Sequence, residues 1–87
     1  VAITVYVWDR EDPEAGTYTE AVVADEPAVN ATVSHRIGGD VKELVVEAWR
    51  RAHPGESRGL DEFVFRAPPR RWENPNDQRP EVGAVQE

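Results

Sequence analysis

The 87 residues predict a two-layer α+β domain, with one amphipathic helix laid on a small mixed sheet of four or five strands. Three observations carry that expectation. The first residues alternate with a period of two, Ile3, Val5 and Val7 on one face and Thr4, Tyr6 and Trp8 on the other. Residues 41–52 place Val41, Leu44, Val45, Ala48, Trp49 and Ala52 at helical spacing, one apolar stripe along a helix. Residues 60–67 alternate again, with Phe63 and Phe65 on one face and Val64 and Arg66 on the other. A helix with one apolar stripe needs a sheet to cover, and Ile3, Val5, Val7, Val33, Ile37, Phe63 and Phe65 supply the matching face.

Taken in order, Ala2–Trp8 is rich in β-branched and aromatic residues that suit a pleated surface, so it reads as the first strand. Asp9 to Gly16 is polar and contains Pro13 and Gly16, which predicts a loop. Thr17–Ala24 and Ala31–Ile37 read as two further strands, separated by Asp25-Glu26-Pro27, the alternative being that one of them is an irregular edge insertion. Gly38-Gly39 then breaks the chain at a turn that needs permissive φ. Asp40 is a suitable N-cap, and Glu43 three residues later completes a capping-box pattern. Arg50, Arg51 and His53 suit the negative end of the helix dipole, and Pro54-Gly55 stops the helix at residue 52. Leu60–Ala67 is the next strand, ended by Pro68-Pro69, neither of which donates a hydrogen bond. The domain is expected over residues 1–67. Four of the seven prolines fall in residues 68–87, which therefore read as an extended or partly disordered segment. Trp72 is its apolar exception, and Val82–Val85 is a candidate short strand.

Composition narrows the function classes. Ten Lys and Arg against 17 Asp and Glu leave a formal charge of -7, which argues against non-specific binding to nucleic acid or anionic lipid. The absence of Cys removes disulfides, thiolate metal sites and cysteine catalysis. No apolar run approaches the roughly 18 residues of a membrane span, and no signal-peptide pattern is present. The cytoplasm is the expected compartment. The chain opens on Val1 without Met, which reads as a processed or excised domain.

Catalytic and ligand motifs are weak. Asp9, Glu11, Asp12 and Glu14 alternate along the predicted loop, but Pro13 and Gly16 are misplaced for a calcium-binding loop, and a solvated acidic loop is the expectation. His35 shares strand parity with Val33 and Ile37 and reads as a half-buried sheet residue, whereas His53 reads as a helix cap. Neither Ser34 nor Ser57 sits in a nucleophile-elbow motif, and no phosphate-binding glycine loop is present. Asn30-Ala31-Thr32 matches the glycosylation sequon, a pattern short enough to arise by chance. No enzyme activity, metal or cofactor is expected.

The passage Thr32-Val33-Ser34-His35-Arg36-Ile37-Gly38-Gly39-Asp40-Val41-Lys42-Glu43-Leu44 resembles the second-strand-to-helix passage of ubiquitin-like β-grasp domains. Glu62–Ala67 looks like that family's third strand and Arg70-Arg71-Trp72 like its short fourth. Ras-association domains share the same register. The resemblance covers about residues 1–8 and 31–73 and implies a β-grasp-like fold in a protein-binding domain. It departs from the family at residues 9–31, where a tight hairpin is the rule, and lacks a long, central final strand. Conjugation chemistry needs a C-terminal Gly-Gly, and the only such pair, Gly38-Gly39, precedes the helix.

What stands out is a set of outward aromatics and arginines. With Ile3, Val5 and Val7 turned to the helix, Tyr6 and Trp8 face outward, and Trp72 follows Arg70-Arg71. Such residues are enriched in interface hot spots, so Tyr6, Trp8, Arg70, Arg71 and Trp72 are the candidate partner-binding residues. The competing reading is that Trp72 caps the core edge while Tyr6 covers the sheet. Thr17–Ala24 is the candidate open edge for strand addition, and the acidic stretch 9–14 would steer a basic partner. The expected function is a non-catalytic protein-interaction module. The alternatives are a structural subunit of a larger assembly and an acidic inhibitor of a basic partner.

Overall fold

A computed structural model describes residues 1–14 and 16–76. The elements are β1 (Ile3–Asp12), β2 (Gly16–Val23), β3 (Asn30–Ser34), α1 (Val41–Ala52), a 3-10 turn at Leu60–Glu62, and β4 (Phe63–Arg66). The sheet runs β3-β2-β1-β4, antiparallel except for β1 and β4, which are parallel. The chain thus forms a meander, then α1 crosses one face of it to deliver β4 beside β1. This is the small α+β architecture expected, a four-stranded mixed sheet packed on one helix. The expected short strand at Val82–Val85, with the rest of residues 77–87, lies outside the described residues.

The expected loop at residues 9–16 is largely strand. β1 continues through Asp12, which pairs directly with Gly16 in a tight hairpin. Apolar alternation stops at Trp8, but cross-strand polar pairs take over. Thr19 Oγ1 donates to Asp9 Oδ1 at 2.7 Å, and Arg10 Nη1 meets Glu20 Oε1 at 3.0 Å. Pairs of this kind support strand pairing where the apolar alternation has ended. At the reversal Asp12 Oδ1 accepts the Glu14 N–H at 2.7 Å, and Gly16 adopts φ +84°. The connection of β1 to β2 is therefore a tight hairpin, and the strand before the helix is the third of the chain, where the resemblance placed the second.

Two strands are shorter than expected. β3 stops at Ser34, whose carbonyl accepts the N–H groups of Ile37 and Gly38 in a turn. Gly38 and Gly39 then take φ +83° and +127°, the conformations for which glycine was expected. Residues 60–62 form the 3-10 turn, leaving a four-residue β4 at the edge of the sheet. Arg70-Arg71-Trp72 is a turn, closed by Trp72 N–H to the Pro69 carbonyl at 3.0 Å, and no strand forms there. Thr17–Ala24, expected as an open edge, corresponds to β2, which is interior, paired on both sides; the edges are β3 and β4.

The helix has the expected bounds, and its face is rotated. Val41, Val45, Val46 and Trp49 are buried, whereas Leu44 is 42% exposed and Ala52 lies in solvent. The sheet is broad on the Val46 side, where β4 and the 3-10 turn stand, so burial shifts from Leu44 toward Val46. Asp40 caps through Lys42, whose N–H donates to Asp40 Oδ1 at 3.0 Å, rather than through Glu43. The core joins these four residues to Val5, Ala21, Val23, Val29, Val33 and Phe63, with Ile3, Val7 and Phe65 packed at its margin. Ile37, expected in the core, is 87% exposed because the chain has already left the sheet. Trp49 meets Phe63 edge-on at 5.5 Å and stacks on His53 at 4.2 Å.

A candidate protein-interaction site

The second face of the sheet carries the predicted site. Register places Tyr6 beside Val22 and Arg66, and Trp8 beside Glu20, all turned away from α1. Val22 is fully buried although it lies on this second face. What covers the face is the segment after β4. The Pro69–Trp72 turn brings the chain back over β1, and the Trp72 ring stands edge-on to Tyr6 at 5.1 Å and to Trp8 at 5.3 Å. Asn74 then reaches Glu20 Oε2 at 3.5 Å, and Asn76 Nδ2 donates to the Pro27 carbonyl at 2.6 Å. Residues 68–76 form a strap across the sheet from β4 to the β2–β3 loop.

Chemistry explains its path. Edge-to-face contact points the positive rim of one ring at the negative face of another, and each such pair contributes about 0.5 to 1.5 kcal/mol. Glu20 accepts from Arg10 on one oxygen and from Asn74 on the other. Only 18% and 13% of the Arg10 and Glu20 side chains reach solvent, so this pair is less screened than a surface one. Pro68 and Pro69 stiffen the strap where it leaves β4.

The structure thus brings Tyr6, Trp8 and Trp72 into one half-buried cluster. Arg70 and Arg71 are exposed in the turn next to it, and Arg66 is exposed beside Tyr6. Tyr6 and Trp8 are not bare, because Trp72 lies on both. That contact joins the two readings, since Trp72 covers the sheet and also completes an aromatic surface flanked by guanidinium groups. Asn74 and Asn76 were missed because side-chain amides that reach back to a distant strand leave no periodic trace.

A second concavity lies at the N-terminal end of α1. An open cleft of about 550 Å³ is lined by Val7, Thr19, Val33, His35, Gly39 and Lys42 among others. His35 is exposed here, just past β3, and is not the half-buried sheet residue expected. Its Nε2 lies 2.8 Å from Thr19 Oγ1 and 3.6 Å from Asp9 Oδ1. With the Thr19 hydroxyl donating to Asp9, its oxygen is left to accept from the imidazole N–H. Nucleophilic activation would need the reverse, a hydroxyl donating to the imidazole nitrogen. His53 sits at the other end of α1, its Nε2 2.6 Å from Glu26 Oε1 and its Nδ1 3.5 Å from Glu56 Oε2. The two histidines therefore serve separate neighbourhoods. Among the described residues, no three His, Asp or Glu side chains gather as a metal site, and no helix is long and apolar enough to cross a membrane.

Fold and site together define a small α+β domain whose sheet is compatible with a β-grasp-like fold and carries helix on one face and strap on the other. No family model matches the chain, and no curated protein or solved structure matches it either.

Proposed function

We propose that the chain is a non-catalytic protein-interaction module of ubiquitin-like type, and that it binds another protein through the strap face. The observation that carries this reading is the convergence of Tyr6, Trp8 and Trp72, with Arg70 and Arg71 exposed beside them. Rings held against one another lose little conformational freedom on binding, and rigid aromatics rimmed by Arg have the composition of interface hot spots. The half-buried rings would anchor the partner, and the guanidinium groups would pair with its carboxylates or carbonyls. The acidic hairpin, with Asp9, Glu11, Asp12 and Glu14, would orient a partner that presents basic groups alongside.

The test is affinity capture by the full chain, identification of what is retained, and titration of that purified protein against variants. Arg70→Ala with Arg71→Ala is the cleanest pair, because both side chains are exposed and folding should be unchanged. At least a tenfold loss of affinity is expected, about 1.4 kcal/mol. Unchanged affinity in this double variant and in Trp8→Ala, with native circular dichroism, would overturn the assignment.

A further inference from the structure

Among the described residues four stretches form strands, and β3, Asn30-Ala31-Thr32-Val33-Ser34, is the one of them with no charged residue. It is also an edge strand. Edges are normally blunted by charge, proline or a bulge, because an unpaired row of N–H and C=O groups recruits other strands. β3 has none of these between Asn30 and Ser34, and its pairing with β2 is unbroken.

The bonding pattern shows which groups are on offer. Val23 N–H bonds the Val29 carbonyl, and His35 N–H bonds the Thr17 carbonyl. Hydrogen-bonded pairs alternate along an antiparallel ladder, so Ala31 and Val33 spend their backbone groups on β2, as do the Val29 carbonyl and the His35 N–H. Asn30, Thr32 and Ser34 therefore turn theirs outward. The Ser34 carbonyl is occupied by Ile37 and Gly38, while the Ser34 N–H remains on the edge.

We infer that β3 pairs antiparallel with β3 of a second copy of this chain, making a two-fold dimer with one continuous eight-stranded sheet centred on Thr32. The outward set is self-complementary about that residue. Thr32 offers a donor and an acceptor to its own symmetry mate, and the Ser34 N–H faces the Asn30 carbonyl of the other copy. In a chain of formal charge -7, most like-on-like contacts oppose negative groups, but this edge does not. The helix adds to the match. Lys42 lies over Phe65 and Val46 lies beside Leu60, so that flank of α1 faces β4. Leu44, Ala48 and Arg51, at i, i+4 and i+7, lie on the opposite flank, toward β3. A two-fold axis near the middle of α1 sets Leu44 and Ala48 against their counterparts. This surface is distinct from the strap face, so the inference does not rest on the proposed function.

Sedimentation equilibrium on the full chain, from micromolar to millimolar, tests the pairing. The mass should rise with concentration toward twice 9.8 kDa. Thr32→Pro removes an outward N–H without touching the bonds to β2, and Leu44→Glu sets like charges against each other. Each should weaken the dimer at least tenfold. Hydrogen exchange gives a readout in the unmodified chain, in which the Thr32 and Ser34 amides should be protected in concentrated samples and exchange freely in dilute ones. A chain that stays monomeric throughout, or a dimer indifferent to Leu44→Glu with no concentration dependence at those two amides, overturns the inference.

Discussion

Trp72 stands edge-on to Tyr6, ring centroids 5.1 Å apart and planes at 69°, although the two residues come from opposite ends of the described chain. This contact, with its twin to Trp8, ties the strap to the face of the sheet on which the fully buried Val22 lies. A sheet with helix on one face and an extended segment on the other has two apolar layers to stabilise it. For a domain this small, that second layer is a sizeable share of what opposes chain entropy.

Trp72→Ala removes two edge-to-face pairs and opens the strap face. We expect a loss of about 2 kcal/mol, read as a lower urea midpoint. Trp72→Phe should recover more than half of it. A midpoint unchanged by the alanine variant would mean that the strap contributes nothing to stability.

The rotated helix face gives a paired prediction. Val46→Ala and Trp49→Ala, both at buried positions, should cost about 2 and about 3 to 5 kcal/mol respectively. Leu44→Ala, at a position 42% exposed, should cost less than about 1 kcal/mol. Thermal unfolding at micromolar concentration, where the chain should be monomeric, ranks the three. Leu44 outranking Val46 would put the stripe back where the spacing alone places it.

Gly39 holds φ +127°, a backbone region that side chains rarely adopt. A Cβ there would lie 3.5 Å from Val33 Cγ1, which is ordinary contact, so the penalty is conformational rather than steric. Gly39→Ala should destabilise by about 1 to 3 kcal/mol. Gly55→Ala has neither a positive φ nor a neighbour within contact and should be near neutral in the same assay.

Thr19→Val keeps the shape of the side chain but loses the hydroxyl that bonds Asp9 and His35. Stability should fall by about 1 kcal/mol, and the far end of the hairpin should exchange its amides faster. Equal exchange in variant and parent would show that the ribbon holds without this polar pair.

Local rules carried much of the fold. The period-two run at Ile3–Trp8 became the centre of β1, and the helix begins and ends where Asp40 and Pro54 placed it. Gly38-Gly39 was legible because only glycine tolerates such φ values cheaply. The hairpin was not legible, since Asp9 to Asp12 is held by partners on β2 that no single-strand pattern reveals.

The sequence by itself therefore determined the helix, the strand cores and the supply of outward aromatics, because each depends on residues a few positions apart. Tertiary structure decided which side of α1 is buried, which strands are edges, and that Trp72 returns to Tyr6 and Trp8. Those outcomes depend on how separate elements share one sheet. Burial and edge pairing are properties of the assembled layers, and no stretch of chain carries them alone.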